Sequence, residues 1–397
     1  MVEWEMVTIG DIIIGNPSYG INAPACAYAV GLPQYIRITD ITEQGYYSKD
    51  DTAFVDDANS GNYYLEENDI VLARTGASVG KSYLYNKRDG KLVYAGFLIK
   101  ISVDTKKASA KYIFECLHTK LYRDWVQTTS MRSGQPGING KQYASFDIIL
   151  PPLPEQRAIA AALSDADAYI TTLEKLIAKK RNLKQGAMQE LLTGKRRLPG
   201  FEDEWLENTY RRLCEFINGR AYAQDELLSE GPYRVLRLGN FFTNNHWYYS
   251  NLELPDKQYC DSGDLLYAWS ASFGPVLWSG EKVIYHYHIW KTVVSPSVTK
   301  DFLYHYMFFD TQSIMGELQG GTMSHLTKAA MESRMCTYPS NKDEQTAIAN
   351  ILSDMDAEID ALTAKLEKAQ RIKQGMMSEL LTGRIRLIQE DTDNGEN

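Results

Sequence analysis

The sequence contains no run of the roughly 18 consecutive apolar residues that a membrane-crossing helix requires. Its opening, MVEWEMVTIGDIIIG, lacks the basic segment that precedes the apolar stretch of a secretory leader, so no leader is expected. Cysteine is sparse. Cys26, Cys116, Cys214, Cys260 and Cys336 are odd in number, widely spaced and without a CxxC pair, which disfavours a disulfide framework or a zinc site and predicts reduced thiols in a cytoplasm. Excess positive charge is also missing: 42 Lys and Arg stand against 51 Asp and Glu, a net charge of -9, which by itself argues against nucleic acid. No nucleophile, histidine and carboxylate occur in a recognisable catalytic grouping, and no carboxylate pair stands out, so the chain reads as non-catalytic.

Proline is absent between Pro154 and Pro199 and again after Pro339. Those two stretches hold a repeat. EQRAIAAALSDADAYI from Glu155 is matched by EQTAIANILSDMDAEI from Glu344, and pairing residue n with n + 189 over 155–198 gives 24 identities in 44 positions. Ile159, Leu163, Ala166, Ile170, Leu173 and Ile177 step by alternating fours and threes, as do Ile348, Leu352, Met355, Ile359, Leu362 and Leu366. That is the 3.5-residue seam of a coiled coil. Pro154–Glu155 suits a helix start, and Thr193–Gly194 and Thr382–Gly383 supply matching stops. Each helix of about 38 residues would be about 57 Å long. Neither can bury its seam alone, so the two are expected to pair, antiparallel, about a pseudo-twofold axis. Gln156, Asp165, Gln185 and Glu190 recur as Gln345, Asp354, Gln374 and Glu379. Read as exposed positions, they predict that both copies dock similar partners.

The segments between the helices echo each other more weakly. YIRITDI (35–41) resembles VLRLGNF (235–241), NDIVLARTGASVG (68–80) resembles GDLLYAWSASFG (263–274), and VYAGFLIK (93–100) resembles IYHYHIWK (284–291). Short β-branched and aromatic runs separated by Gly, Asn and Asp turns, each followed by an amphipathic helix (KYIFECLHTKLYRDWV from Lys111, DFLYHYMFFDTQSIM from Asp301), make both globules α+β. The expected organisation is a globule at 1–153, a helix at 154–198, a globule at 199–342, a helix at 343–388 and a disordered acidic tail at 389–397. Net charges of -2 for 1–154, +4 for 155–198, -5 for 199–342 and -6 for 343–397 place the positive excess on the first helix.

Several chemical-looking motifs fail on inspection. GASVGKS (76–82) has three residues between its glycines where a phosphate-binding loop needs four, and its counterpart lacks Lys-Ser. It reads instead as a tight turn presenting Arg74, Thr75, Ser78 and Lys81. LPPLP (150–154) has leucines where adenine methyltransferases place Asn or Asp and an aromatic, so no S-adenosylmethionine site is expected. His286 and His288 share a strand face, but their counterparts are Ala95 and Phe97, so packing is favoured over metal binding.

LPPLPEQRAIAAALSDADAYI, continued by KQGAMQELLTGKRRLPGF, and the second ending KQGMMSELLTGRIRL closely resemble the conserved helical regions of Type I restriction-modification specificity subunits. IRITDI and IVLARTGASVGKS resemble that family's target recognition domains, and the order domain, helix, domain, helix covers nearly the whole chain. YPSNKDEQ departs from the family's LPPLxEQ at the second helix start. The resemblance implies two α+β recognition domains on an antiparallel coiled coil, each reading half of a bipartite double-stranded DNA site. It also implies two docked methyltransferase subunits that flip and N6-methylate adenines, with restriction subunits in cleavage complexes and no membrane partner. S-adenosylmethionine, ATP and Mg are expected on those partners, with no cofactor or metal on this chain. Because base and phosphate contacts favour Arg, Lys, Asn, Gln and hydroxyls, the expected DNA-facing residues in the first domain are the 74–81 turn with Arg132, Ser133, Gln135, Asn139 and Lys141. In the second they are Asn244, Asn245, His246, Trp269, Ser270 and Ser272, with Thr322, Ser324, His325 and Lys328. The rival reading is a coiled-coil scaffold that bridges two proteins without touching DNA.

Overall fold

The computed structural model describes residues 4–131, 135–242, 245–270, 272–318 and 326–387. Arg132, Ser133, Asn244, Thr322, Ser324, His325 and the tail from 389 lie outside them. The chain divides into two compact units, Met1–Leu173 with Lys365–Asn397, and Glu174–Ala364. Each unit is one globule with the first half of the long helix that follows it and the second half of the other long helix.

In the first unit, Glu5–Thr8 pairs antiparallel with Asp147–Leu150, closing the globule immediately before the helix begins. One four-stranded antiparallel sheet runs Ser18–Tyr19, Leu98–Ser102, Asp69–Ala73, Ser82–Leu84. A second runs Ala25–Cys26, Ala53–Val55, Gln34–Ile36, Leu92–Tyr94, its last pair parallel. Alternation explains why DIVLA can be buried throughout: Ile70 and Leu72 enter one core with Ile99 and Ile101, whereas Val71 and Ala73 enter another with Leu98. The second unit repeats the plan. Trp205–Thr209 pairs with Met335–Pro339. One sheet runs Cys214–Asn218, Ile289–Val294, Leu265–Ser270, Ser272–Leu277, and Tyr233–Leu236 lies parallel to Val283–Tyr285 in the other. The segment expected as one helix from Lys111 forms two, Ala110–Cys116 and Lys120–Ser130, because the Thr119 hydroxyl caps a fresh start. Its counterpart Lys300–Leu318 is continuous.

The long helices span Leu153–Leu191 and Lys342–Leu380, 39 residues each. They run antiparallel within each unit. In the first, Glu155 meets Arg386 at 2.6 Å and Asp167 meets Lys373 at 2.7 Å. In the second, Arg197 meets Glu344 at 2.7 Å and Lys184 pairs with Asp356. All seam residues are buried or half-buried, but the early ones differ from a pure helix-to-helix seam. Ile159 and Leu163 sit in the first globule's core with Met377, Leu380 and Leu381, and Ile348 and Leu352 sit in the second's with Met188, Leu191 and Leu192. Gly194 and Gly383 end the helices at φ +69° and +72°, a left-handed conformation a side chain resists, and a Cβ would come within 3.1 Å of Trp205 or 3.3 Å of Trp4.

Candidate nucleic-acid interface

In the first unit the strand Asp69–Ala73 ends at Arg74. Thr75 bridges Gly137, Gly76 N donates to Pro136 O at 3.1 Å, and Ile138 N donates to Arg74 O at 2.9 Å. The 74–81 turn and the 135–141 segment, singled out separately from sequence, therefore form one surface. Gly80 makes the close turn possible: its φ is +88°, and a Cβ there would meet Val126 at 2.7 Å. The Arg74 guanidinium lies 4.7 Å from the centre of the Tyr19 ring, and Tyr19 Oη accepts from Gly140 N. Arg74 Nε is buried with no hydrogen-bond partner among the described residues. Arg74 N donates to Phe97 O, and the Phe97 side chain is 58% exposed. Tyr19 and Phe97 were missed from sequence, since an aromatic in a short strand or in the turn between two strands carries no mark of exposure.

Two expected contacts have local roles. Lys81 is no free surface cation: its Nζ pairs with Glu43 at 2.8 Å and donates to Ile41 O, at one wall of a cleft of about 420 Å3 that His118, Arg123 and Gln127 also line. Asn139 caps the short helix Gly140–Ala144 by accepting from Gln142 N. Thr75 and Ser78 are half-buried, while Gln135 and Lys141 are exposed.

The second unit places Trp269 at the same point. Trp269 N donates to His288 O and Leu326 N donates to Trp269 O, as Arg74 N does to Phe97 O and Ile138 N to Arg74 O. The indole stacks on Trp290 (5.7 Å, 17°), which stacks on Tyr267 (5.9 Å, 18°). His288 and Tyr287 pack against Trp269, and His286 stacks on Tyr222. Burial, then His288 and Arg237, push the His286 pKa down to about 4, a setting for a neutral packed ring. Asn245 and His246 are exposed, and the His246 carbonyl accepts from Asn240. Ser270 is buried, Ser272 continues the hairpin backbone, and Lys328 pairs with Glu332 at 3.6 Å behind the cap supplied by Thr327.

The recurring helix residues separate into two kinds. Gln156 and Gln345 are not exposed, contrary to expectation; both are fully buried. Gln156 accepts from Ser109 N and donates to Pro151 O, each at 2.8 Å, and Gln345 accepts from Thr299 N and donates to Pro339 O. They recur because each satisfies backbone groups where helix meets globule, which a nonpolar residue would leave unpaired. Asp165, Asp354, Gln185 and Gln374 are exposed, Gln185 exchanging hydrogen bonds with Gln312. Glu190 and Glu379 pair with Arg196 and Arg384 after the helix ends.

Sequence reasoning also missed a buried latch in each unit. Arg386 grips Glu155 with two hydrogen bonds and lies over Trp4, whose indole N–H donates to the same carboxylate. Arg197 grips Glu344 likewise and lies over Trp205. Deeper in, Lys373 reaches Asp167 and, at 3.6 Å, Glu115, whose pKa burial raises to about 7. At the matching place the buried His305 bonds Ser353, and burial, then Lys184, lower its pKa to about 4.

The family model for the type I restriction modification DNA specificity domain matches residues 1–185 and 202–371. The MjaVIII specificity subunit of a type I restriction enzyme from Methanocaldococcus jannaschii is 23% identical over 97% of this chain and 93% of its own length. The EcoKI specificity subunit from Escherichia coli is 28% identical over 44% of this chain and 39% of its own length. The crystal structure of a type I restriction-modification S subunit from M. genitalium shares the fold with a TM-score of 0.63, at 15% identity over 96% of each chain.

Proposed function

Because this chain belongs to the type I restriction-modification DNA specificity family, we propose that its two globules each read one half of a bipartite, asymmetric duplex site while the paired helices set the gap between the halves. It is the specificity subunit, the part of the complex that selects DNA, and its residues supply recognition while the chemistry belongs to partners. Two methyltransferase subunits dock on the helical repeats, carry S-adenosylmethionine and methylate an adenine in each strand at N6. Restriction subunits with ATP and Mg act on the same complex where a system has them. The setting is cytoplasmic; no helix among the described residues is long and apolar enough to cross a membrane.

The observation that carries this reading is the contrast between what repeats and what does not. The exposed Asp165 and Gln185 recur at n + 189 as the exposed Asp354 and Gln374, and the ion-pair latches that hold the helices are built twice with the same geometry. At the strand end where the framework is also superposable, one unit has Arg74 and the other Trp269. Docking two identical partners requires the same surface twice, whereas reading two different DNA words requires different side chains on one backbone.

Methylation-aware long-read sequencing of a host carrying the cognate methyltransferase, with and without this chain, tests the proposal. A split N6-methyladenine motif that depends on the chain is expected. Its absence, with both proteins expressed and associated, would favour a scaffold that bridges proteins without reading DNA, which the net charge of -9 suits.

A further inference from the structure

Two arginines share an unusual state. Among the described residues, the buried guanidinium nitrogens that lack a hydrogen-bond partner are Arg74 Nε and Arg237 Nε, one in each globule. Each side chain is half-buried and stacked on a tyrosine, Arg74 over Tyr19 at 4.7 Å and Arg237 over Tyr248 at 4.1 Å. Neither makes an ion pair among the described residues. Their terminal nitrogens are not among the buried partnerless atoms. Leaving a buried N–H unpaired is costly and calls for a reason.

The internal repeat supplies a control. Arg237 occupies the place of Arg37: Ala95 N donates to Ile36 O as His286 N does to Leu236 O, and the backbone N–H of each arginine is accepted by the residue three positions on, Asp40 or Asn240. In the first globule that arginine is neutralised. Arg37 is gripped by the buried Asp40 at 2.7 Å and by Asp51 at 3.0 Å. In the second, Asn240 stands where the carboxylate would be and donates its amide to His246 O, so the framework survives while the counter-charge is gone. Among the described residues, one globule neutralises position 37 and leaves Arg74 without an ion pair, while the other puts Trp269 at the equivalent of 74 and leaves Arg237 without one.

Arg237 belongs to the same strip as Trp269. It lies close enough to His286 to help hold that ring neutral, and His286 contacts His288, which packs on Trp269. We propose that Arg237 is the guanine-reading side chain of the second domain, taking there the role that Arg74 takes in the first. The chemistry favours guanine because only guanine presents two adjacent acceptors, O6 and N7, on the major-groove edge, matching the two-pronged guanidinium end. Stacking on tyrosine fixes the plane of the fork before DNA arrives, so little side-chain freedom is lost on binding. With Nε sealed inside, contact is confined to the terminal nitrogens, which suits an edge read head-on better than a phosphate approached from any side.

The assignment rests on the DNA-reading function proposed above, and the test separates the two. The chain is expressed with its methyltransferase, and the methylated motif and duplex binding by the complex are measured for the unaltered chain, Arg237→Ala, Arg237→Lys and Asn240→Asp. The expected result is that Arg237→Ala and Arg237→Lys both lose discrimination at one G·C pair of the second half-word, by about 5- to 150-fold, with the first half-word and gap unchanged. Lysine keeps the charge but not the fork. Asn240→Asp, which restores the carboxylate that silences Arg37, should relax the same position. If the split motif survives Arg237→Ala unchanged, the assignment is wrong and the general function stands. A uniform loss of affinity with a salt dependence shallower by about one phosphate contact, which lysine rescues, also overturns it by making Arg237 a backbone contact. No split motif with the unaltered chain brings down both. Thermal melting of each variant identifies any that fail to fold, and Arg237→Lys, which keeps the stem, then decides alone.

Discussion

Replacing Glu115 by glutamine should stabilise the first unit at pH 8 and leave it nearly unchanged at pH 4.5. Glu115 is 4% exposed on the helix Ala110–Cys116. Burial raises its pKa from an ordinary 4.5 to about 7; the Lys373 ammonium 3.6 Å away pulls it back, and Asp167 pushes it up further. The folded state therefore holds this proton more tightly than the unfolded one. That stabilisation is complete below about pH 4.5 and is lost as pH rises through 7, where the buried carboxylate must ionise. A shift of this size corresponds to about 3 kcal/mol as an upper limit. Glutamine has the same shape, cannot ionise, and leaves the Lys373–Asp167 pair at 2.7 Å intact. Calorimetry of the whole chain at pH 4.5 and pH 8 would follow the unit's melting, and hydrogen exchange of the Ala110–Cys116 peptide would locate the effect. At about 2–4 °C per kcal/mol for a unit of this size, the pH 8 gain should be several degrees. An equal loss at both pH values would refute the reasoning, because it would mean that Glu115 is held charged by Lys373 throughout.

The second unit should respond with the opposite sign: burial lowers His305 to about 4, so its stabilisation is lost as pH falls below 6.5, and His305→Gln should reduce that acid sensitivity in urea unfolding at pH 5 against pH 7.5. Glu155→Ala strips the partner from Arg386, and Glu344→Ala does the same to Arg197; each should cost about 3 kcal/mol in its own unit, measured by urea unfolding. Inserting four residues near Ala178 in the first helix adds about 6 Å and should lengthen the gap in the methylated motif or misalign the helix pair, so full activity with an unchanged gap would remove the ruler function. Because both globules are net negative, the isolated chain should bind duplex DNA weakly with a shallow salt slope, and a steep slope would show many phosphate contacts made without partners.

The sequence alone determined the organisation. A 44-residue repeat with seam periodicity and no proline can only be two long helices, and a helix with one apolar stripe needs a partner, so pairing followed from burial. The equivalence of Arg74 with Trp269, and of Ala95 with His286, was also legible, because strands that alternate between two cores tolerate few shifts of register. What only the tertiary structure decided was which recurring residues face solvent and which charges are spent. Gln156 looked like a surface residue because glutamine usually is one; its burial depends on the backbone groups of Ser109 and Pro151, which the helix meets only after docking on its globule. Lys81 looked free, yet Glu43 lies beside it across a turn. Arg37 and Arg237 are the same letter in the same motif; the change from Asp40 to Asn240 was legible in the sequence, but only the fold brings Asp51 to the first arginine and Tyr248 to the second. Periodicity is a property of the chain taken a few residues at a time, whereas the state of a charge is set by whichever group the fold brings within a few ångströms of it.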